Sequence, residues 1–402
     1  MLISKPITDQ LVPLFYLMAG IYTVLNLGGP FIGIPGVVFL GVFILTVNYF
    51  FFKTVKIKLR KKVGFFIFCF FPLIILNSIF SIETFNSSFY WILWLMFIIS
   101  LVKIIQNLNQ RQLDHLLYHL PYILLLASVL LYIILFPRLG TSLPTKNSLG
   151  LLSGATLIAS VSIKDKWKRY LVFAIALLIV VQSDSRSSLV FSIGIVALYF
   201  TSSVNSKNSP LYIFGIILLL IFYQPLYNFF EEKMLSKERF ATNLEEALRS
   251  AQKERTDLLE LGWELFKEKP YVGFGLKSKY YEGRITLVQG SFVHVHNGYL
   301  STLIETGIII TFFVAVFFLI ITQQLIRLFF FQPKSFDKIW LFFIAFGFIR
   351  SYGENYLFFN IGNIFSIFFL FFCIILVVDS RLSLVLPQNR IYYRSNSRIR
   401  GS

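Results

Sequence analysis

Long uncharged apolar runs, separated by short basic ones, dominate the chain. "LYIFGIILLLIFYQPL" and "NIFSIFFLFFCIILVV" carry no charge and approach the roughly 20 residues that a helix needs to cross a bilayer. About twelve such segments can be marked, near 11–27, 31–52, 63–80, 88–106, 120–137, 148–163, 168–183, 187–201, 210–226, 299–326, 339–352 and 361–379. The ten-residue apolar/polar alternation of a membrane β-barrel is absent. The pattern therefore predicts an all-α, polytopic integral membrane protein with about 12 transmembrane helices. The seventh and eighth segments are short and flank "QSDSR". A tilted hairpin that does not fully cross is the alternative there, and losing either span would invert everything after it.

Composition supports this class: 56% of the 402 residues are hydrophobic, 14% are charged, and the mean hydropathy is +0.72. The net charge of +17 would suit nucleic acid, but its distribution argues for topology instead. With the N-terminus inside, the inner segments ("KTVKIKLRKK", 103–119, "KDKWKR", the loop with Lys207, "RLFFFQPKSFDK" and the tail) hold 21 Lys and Arg. The short outer segments hold Arg138, Lys146 and Arg186, with Arg350 at a boundary. This is the positive-inside asymmetry, reinforced by attraction to anionic lipid, so the expected partner is membrane lipid and no nucleic acid. The expected organisation is N-terminal transmembrane helices in 1–226, a large outer loop in 227–298, C-terminal helices in 299–380 and a basic inner tail in 381–402. No cleavable signal peptide is evident. Cys69 and Cys373 lie in apolar spans, as structural thiols do.

The outer loop stands apart. It carries eleven basic and eleven acidic side chains, more than half of the 20 acids in the chain, and loops of this length tend to be functional. Phe240, Leu244 and Leu248 repeat at helical spacing, as do Leu259, Trp263 and Phe266 before Pro270. Helices are expected there, lying on the membrane or capping the bundle. The Gly273-x-Gly275 pair reads as a turn, since no strand-turn-helix surrounds it.

Two of the four histidines fall in "HVHNGYL", His294 to Leu300, where this loop returns to the bilayer. Interfacial packing is the commoner role for such residues, with acid–base chemistry the alternative. His115 and His119 are four apart, a spacing that can ligate metal on a helix, but "DHLLYH" lacks the glutamate of the helical zinc motif and a third ligand. Arg186, in "SDSRSS", either snorkels to headgroups or offers its planar fork to phosphate oxygens. Arg255, in "KERTDLLELGW", precedes a possible capping pair, Asp257 and Glu260, at a helix start.

These segments together resemble the O-antigen ligase and O-antigen polymerase superfamily, membrane glycosyltransferases of the GT-C type. "FVHVHNGYLSTLIETG" is similar to the family's His-Asn pair leading into a transmembrane helix with a glycine about ten residues on, here His296, Asn297 and Gly307. "SDSRSS" is similar to its arginine just after a span. "ERTDLLELGWELFKEKPYVGFG" is similar to its second arginine opening the last helix of the large loop, ahead of a Gly-x-Gly, which falls on Arg255. Ile310 departs from the small or aromatic residue often found three positions after the glycine.

The resemblance implies transfer of a glycan from an undecaprenyl-diphosphate-linked donor to a hydroxyl at the periplasmic face of the bacterial inner membrane, with both termini cytoplasmic. Ligases use a lipid A-core acceptor and polymerases another lipid-linked repeat unit; the ligase is favoured. His296, Arg186 and Arg255 would be catalytic, the arginines stabilising the diphosphate leaving group and the histidine taking the acceptor proton, without metal or cofactor. Asn297 would hold the imidazole or a sugar hydroxyl, and His294, Arg284, Tyr280, Tyr281 and Arg350 would contact glycan or phosphate. A transporter or flippase would show internal repeats and mid-membrane ionisable or broken segments, whereas the polar residues singled out cluster at the outer rim.

Overall fold

The protein is described by a computed structural model, over residues 12–13, 15–17, 61–107, 110–135, 145–183, 185–202, 244–278, 281, 283–285, 295, 297–330, 339–353 and 364–378. Ten longer helices run through them: α1 (Lys61–Phe80), α2 (Thr84–Asn107), α3 (Gln110–Leu135), α4 (Thr145–Ser160), α5 (Lys166–Gln182), α6 (Arg186–Ser202), α7 (Leu244–Glu268), α8 (Gly298–Phe330), α9 (Ile339–Gly353) and α10 (Ile364–Val378). Among the described residues there is no strand. Among the described residues, three segments are long and apolar enough to cross a membrane: Thr84–Ile105, Gln112–Ile134 and Gly298–Ile326. All of these helices except α7 lie on expected spans. The expected second and ninth spans, and most of the first, lie outside the described residues.

The fifth helix position needs correction. Residues 103–119 are expected as an inner connection, yet α3 already begins at Gln110. Leu113, Leu116, Leu117 and Leu120 are buried while Asp114, His115 and Tyr118 face outward. That is an amphipathic turn continuing the apolar helix behind it, which a span search tuned to uniform hydropathy passes over. Across "QSDSR", α5 and α6 each run 17 residues, about 25 Å of helix, and pack on each other.

The bundle is organised around α4, which contacts α3, α5, α6, α9 and α10. Its residues 149–160 are all buried, and small residues make that possible. A Cβ on Gly150 would lie 2.7 Å from Ser185 Oγ, and one on Gly154 would lie 3.1 Å from the ring of Phe346. The hydroxyls of Ser153, Thr156 and Ser160 donate to carbonyls within the same helix, at 2.7 Å each, so buried polarity is satisfied where no water reaches. The α9–α10 side is filled by aromatic rings: Trp340 stacks on Phe372 at 5.1 Å, and Phe343 meets Phe365 at 5.4 Å. Leu319, Phe312 and Phe85 lie on the outside, 69%, 63% and 87% exposed, as lipid-facing side chains do.

The long loop has a core of its own. Leu258 and Leu265 of α7 pack with Phe274, Tyr281, Ile285, Val295, Leu300 and Ile304, which seats α7 on the start of α8. The expected helical rhythm is present, but the buried stripe sits one residue away from the expected one. Trp263 is 49% exposed and Gly262 is buried. Gly262 has no side chain to mark it as a contact position, yet a Cβ there would meet Leu300 Cδ2 at 2.7 Å. The helix also runs unbroken from Leu244, through helix-favouring "LEEALRSAQKER". Arg255 is therefore an interior position of α7, and Asp257 and Glu260 are exposed side chains on it rather than caps.

Past α7, residues 270–275 plug into a break in α8. Gly307 interrupts that helix with φ 71° and ψ 173°, freeing backbone groups that the turn then pairs. Phe274 N donates to Ile304 O (2.9 Å), Gly275 N to Glu305 O (2.8 Å), and Ile308 N to Pro270 O (2.8 Å). Gly273 and Gly307 meet back to back. A Cβ on Gly273 would stand 2.6 Å from Gly307 N, and one on Gly307 would stand 2.6 Å from Val272 N. Both residues also hold positive φ, so neither position tolerates a side chain.

Candidate functional site

Three helix ends meet at the loop face of the bundle. Asn297 caps α8: its Oδ1 accepts from Tyr299 N and Leu300 N, at 3.0 Å each, which is what an N-cap asparagine does for otherwise unpaired amides. Within the first turn, the Tyr299 hydroxyl donates to Phe348 O of α9 at 2.9 Å. Two residues beyond Phe348, Arg350 is 1% exposed and its Nη1 donates to Ser187 Oγ at the first turn of α6. Arg186 is the first residue of that helix. Starts of α6 and α8 and the end of α9 are thereby tied into one cluster.

The first turn of α6 is built from hydroxyls. Ser185 Oγ and Ser188 Oγ lie 2.8 Å apart, and Ser185 N donates to Ser183 Oγ at 3.3 Å. Small side chains here let α6 approach α4 and leave the positive end of the α6 dipole beside the Arg350 guanidinium. A helix N-terminus of this kind favours an anion.

The remaining candidates divide. Arg284 makes an ion pair with Glu268, Nη2 to Oε1 at 3.1 Å, with both side chains partly exposed. Tyr281 is fully buried in the loop core, with its hydroxyl 3.3 Å from Ser301 Oγ, the position of a packing residue. The oxygen of Asn297 is engaged in its helix cap, which leaves the NH2 group for any other partner. His294, His296 and Tyr280 lie outside the described residues, as do the side chains of Arg186 and Arg255. Of their neighbours, Val295 is buried in the loop core against α7. Positions 255, 258, 262 and 265 follow one helical stripe, and the last three of these are the buried face of α7.

Sequence reading missed two polar groups. Asn77 on α1 is 1% exposed and Glu305 on α8 is 4% exposed. Each is a polar residue inside an apolar run, "ILNSIF" and "LIETG", and that placement was the available signal. On the opposite face, His115 and His119 have rings 4.7 Å apart, and His119 Nδ1 lies 3.2 Å from the Tyr16 hydroxyl. Among the described residues no group of three or more His, Cys, Asp or Glu could hold a metal.

Comparison with known families bears on the same segments. Residues 171–315 match the family model described as O-Antigen ligase. The match supports placing the chain in the O-antigen ligase and polymerase superfamily, in agreement with the resemblance of its three motifs. It runs from α5 through the loop to the middle of α8, so the α6 start, α7 and the broken first part of α8 all lie within the matched residues. Arg350 lies beyond it. No curated protein and no solved structure matches the chain.

Proposed function

We propose that the chain is a glycosyltransferase of the O-antigen ligase type. It would move a glycan from an undecaprenyl-diphosphate carrier to a hydroxyl of lipid A-core at the periplasmic face of the inner membrane. The observation that carries this reading is the cluster at the loop face. There the first turn of α6, beside Arg186, is tied through Ser187 and Arg350 to the α9 end that Tyr299 of α8 also grips. A diphosphate needs fixed cations and helix N-termini, and a family match over 171–315 supports a lipid-linked glycan as the source.

In the reaction, the acceptor hydroxyl attacks C1 of the donor sugar while the bond from C1 to the diphosphate oxygen breaks. The electron pair leaves with undecaprenyl diphosphate, and His296 takes the hydroxyl proton. Arg186 and Arg255 would face the charge that grows on the leaving group, with Arg350 bound to the next residue, Ser187. No metal takes part in this scheme. His294, Tyr280 and the Asn297 NH2 group are the glycan-contact candidates. Arg284 would have to exchange Glu268 for phosphate, and Tyr281 supports the loop core.

The test is reconstitution of purified protein with an undecaprenyl-diphosphate-linked glycan, with and without lipid A-core. A product on lipid A-core that requires the acceptor establishes a ligase. A ladder of longer lipid-linked chains without that acceptor makes it a polymerase. Absence of both products would sink the reading.

A further inference from the structure

Asn77 has every hydrogen-bonding position of its side chain engaged, by three different parts of the fold. Its Nδ2 donates to Val272 O of the inserted turn and to Glu305 O of α8, the latter at 3.2 Å. Its Oδ1 accepts from Trp91 Nε1 of α2 at 2.7 Å and lies 3.5 Å from Ser87 Oγ. Ser87 Oγ in turn accepts from Leu276 N at 3.2 Å. The turn between α1 and α2 adds Ile82 N to Phe274 O at 3.3 Å, and the first turn of α2 adds Asn86 Nδ2 to Lys277 O at 2.9 Å.

The chain order gives this junction its consequence. The inserted turn begins two residues after α7 ends at Glu268, so it fixes the position of α7. The broken helix carries Asn297 at its cap, with His294 and His296 just before it. One buried carboxamide on α1 therefore sets where α7 and the start of α8 stand relative to the bundle. One of the two carbonyls it reaches, Glu305 O, lies at the break, where an intact helix would have used it itself.

We infer that Asn77 is a positioning residue for glycan transfer: it locks the 270–275 turn into the α8 break and so holds the α7 and His296 segments in register with the start of α6. This rests on the transferase reading above. Asn77 touches neither substrate nor reacting atoms, so its loss lowers turnover without weakening substrate binding.

The experiment uses the full chain in lipid nanodiscs, comparing wild type with Asn77→Asp and Asn77→Ala. The aspartate keeps the volume and the acceptor for Trp91 but removes both donors. Amide hydrogen exchange is read at Phe274, Gly275 and Ile308, beside steady-state transfer from a polyprenyl-diphosphate-linked glycan. In wild type these amides are protected. In the variants they exchange at least about tenfold faster, while kcat falls at least about tenfold and KM for donor and acceptor stays the same. Unprotected amides in wild type, or protection unchanged in both variants, overturns the proposal. So does faster exchange with unchanged kcat, or a rise in KM alone. Wild type that transfers no glycan removes the function reading instead, and the exchange data then decide whether Asn77 holds the turn.

Discussion

Arg350, at the end of α9, donates through Nη1 to Ser187, the residue after Arg186 at the start of α6. Because this guanidinium is 1% exposed on an otherwise apolar helix, its surroundings have been built around a positive charge rather than around water. Under the proposed function, the donor diphosphate would face this charge and the positive end of α6 together.

Arg350→Met is therefore expected to lower transfer by at least about tenfold while the protein remains inserted and monodisperse by size exclusion. Arg350→Lys should not restore the rate, since an ammonium lacks the planar fork of the guanidinium. Ser187→Ala removes one hydrogen bond, about 1 kcal/mol, and should cost severalfold at most. Wild-type turnover in Arg350→Met, measured in the reconstituted assay, would remove the arginine from the site.

Two of the three catalytic assignments can be tested apart from folding. His296→Ala and Arg186→Ala should each abolish transfer with an unchanged thermal unfolding midpoint. Arg186→Lys distinguishes a point charge, which keeps substantial activity, from a bidentate clamp, which does not; the clamp is the expected outcome. Full activity of both alanine variants on purified protein would refute the site.

Much of this architecture is legible in the sequence because uniform apolar runs leave few alternatives to membrane helix, and α1, α2 and α4–α6 lie within a few residues of their expected spans. Patterns that depend on a neighbour are less legible. The buried stripe of α7 passes through Gly262, which carries no hydropathy signal, so Trp263 reads as the inward residue although it is half exposed. Likewise Gly273 and Gly307 read as separate features, 34 positions apart, until their backbones are seen to interlock. Asn77 belongs to the same category: one asparagine in an apolar run signals importance but does not say which distant carbonyls it meets.

The interlocked glycines give a stability prediction. Alanine at Gly307 or Gly273 must adopt positive φ, at a cost of about 1–3 kcal/mol, and must also displace backbone lying 2.6 Å from its Cβ. Both variants should unfold at clearly lower temperature in detergent. Gly194→Ala is the control: nothing lies within 4 Å of a Cβ there, and a helix interior gains about 0.5–1 kcal/mol from the exchange. If Gly307→Ala unfolded at the temperature of Gly194→Ala, the close approach at the break would be wrong.

Asn297 separates a cap from a catalyst. Its oxygen accepts from two amides at the start of α8, a role that aspartate fills equally well, with added favour from the helix dipole. Its NH2 group is what a sugar hydroxyl or an imidazole would use, and aspartate lacks it. Asn297→Ala should destabilise the protein by about 1 kcal/mol and disturb the segment carrying His296, so loss of activity in that variant alone would not discriminate. Asn297→Asp should keep the unfolding midpoint of wild type. The cap geometry leads to the expectation that it also keeps most of the transfer rate, within about threefold, because the helix start is held as before. A hundredfold loss in Asn297→Asp at an unchanged midpoint would instead assign the carboxamide NH2 to substrate or to His296, and the cap would then be the lesser of its two roles.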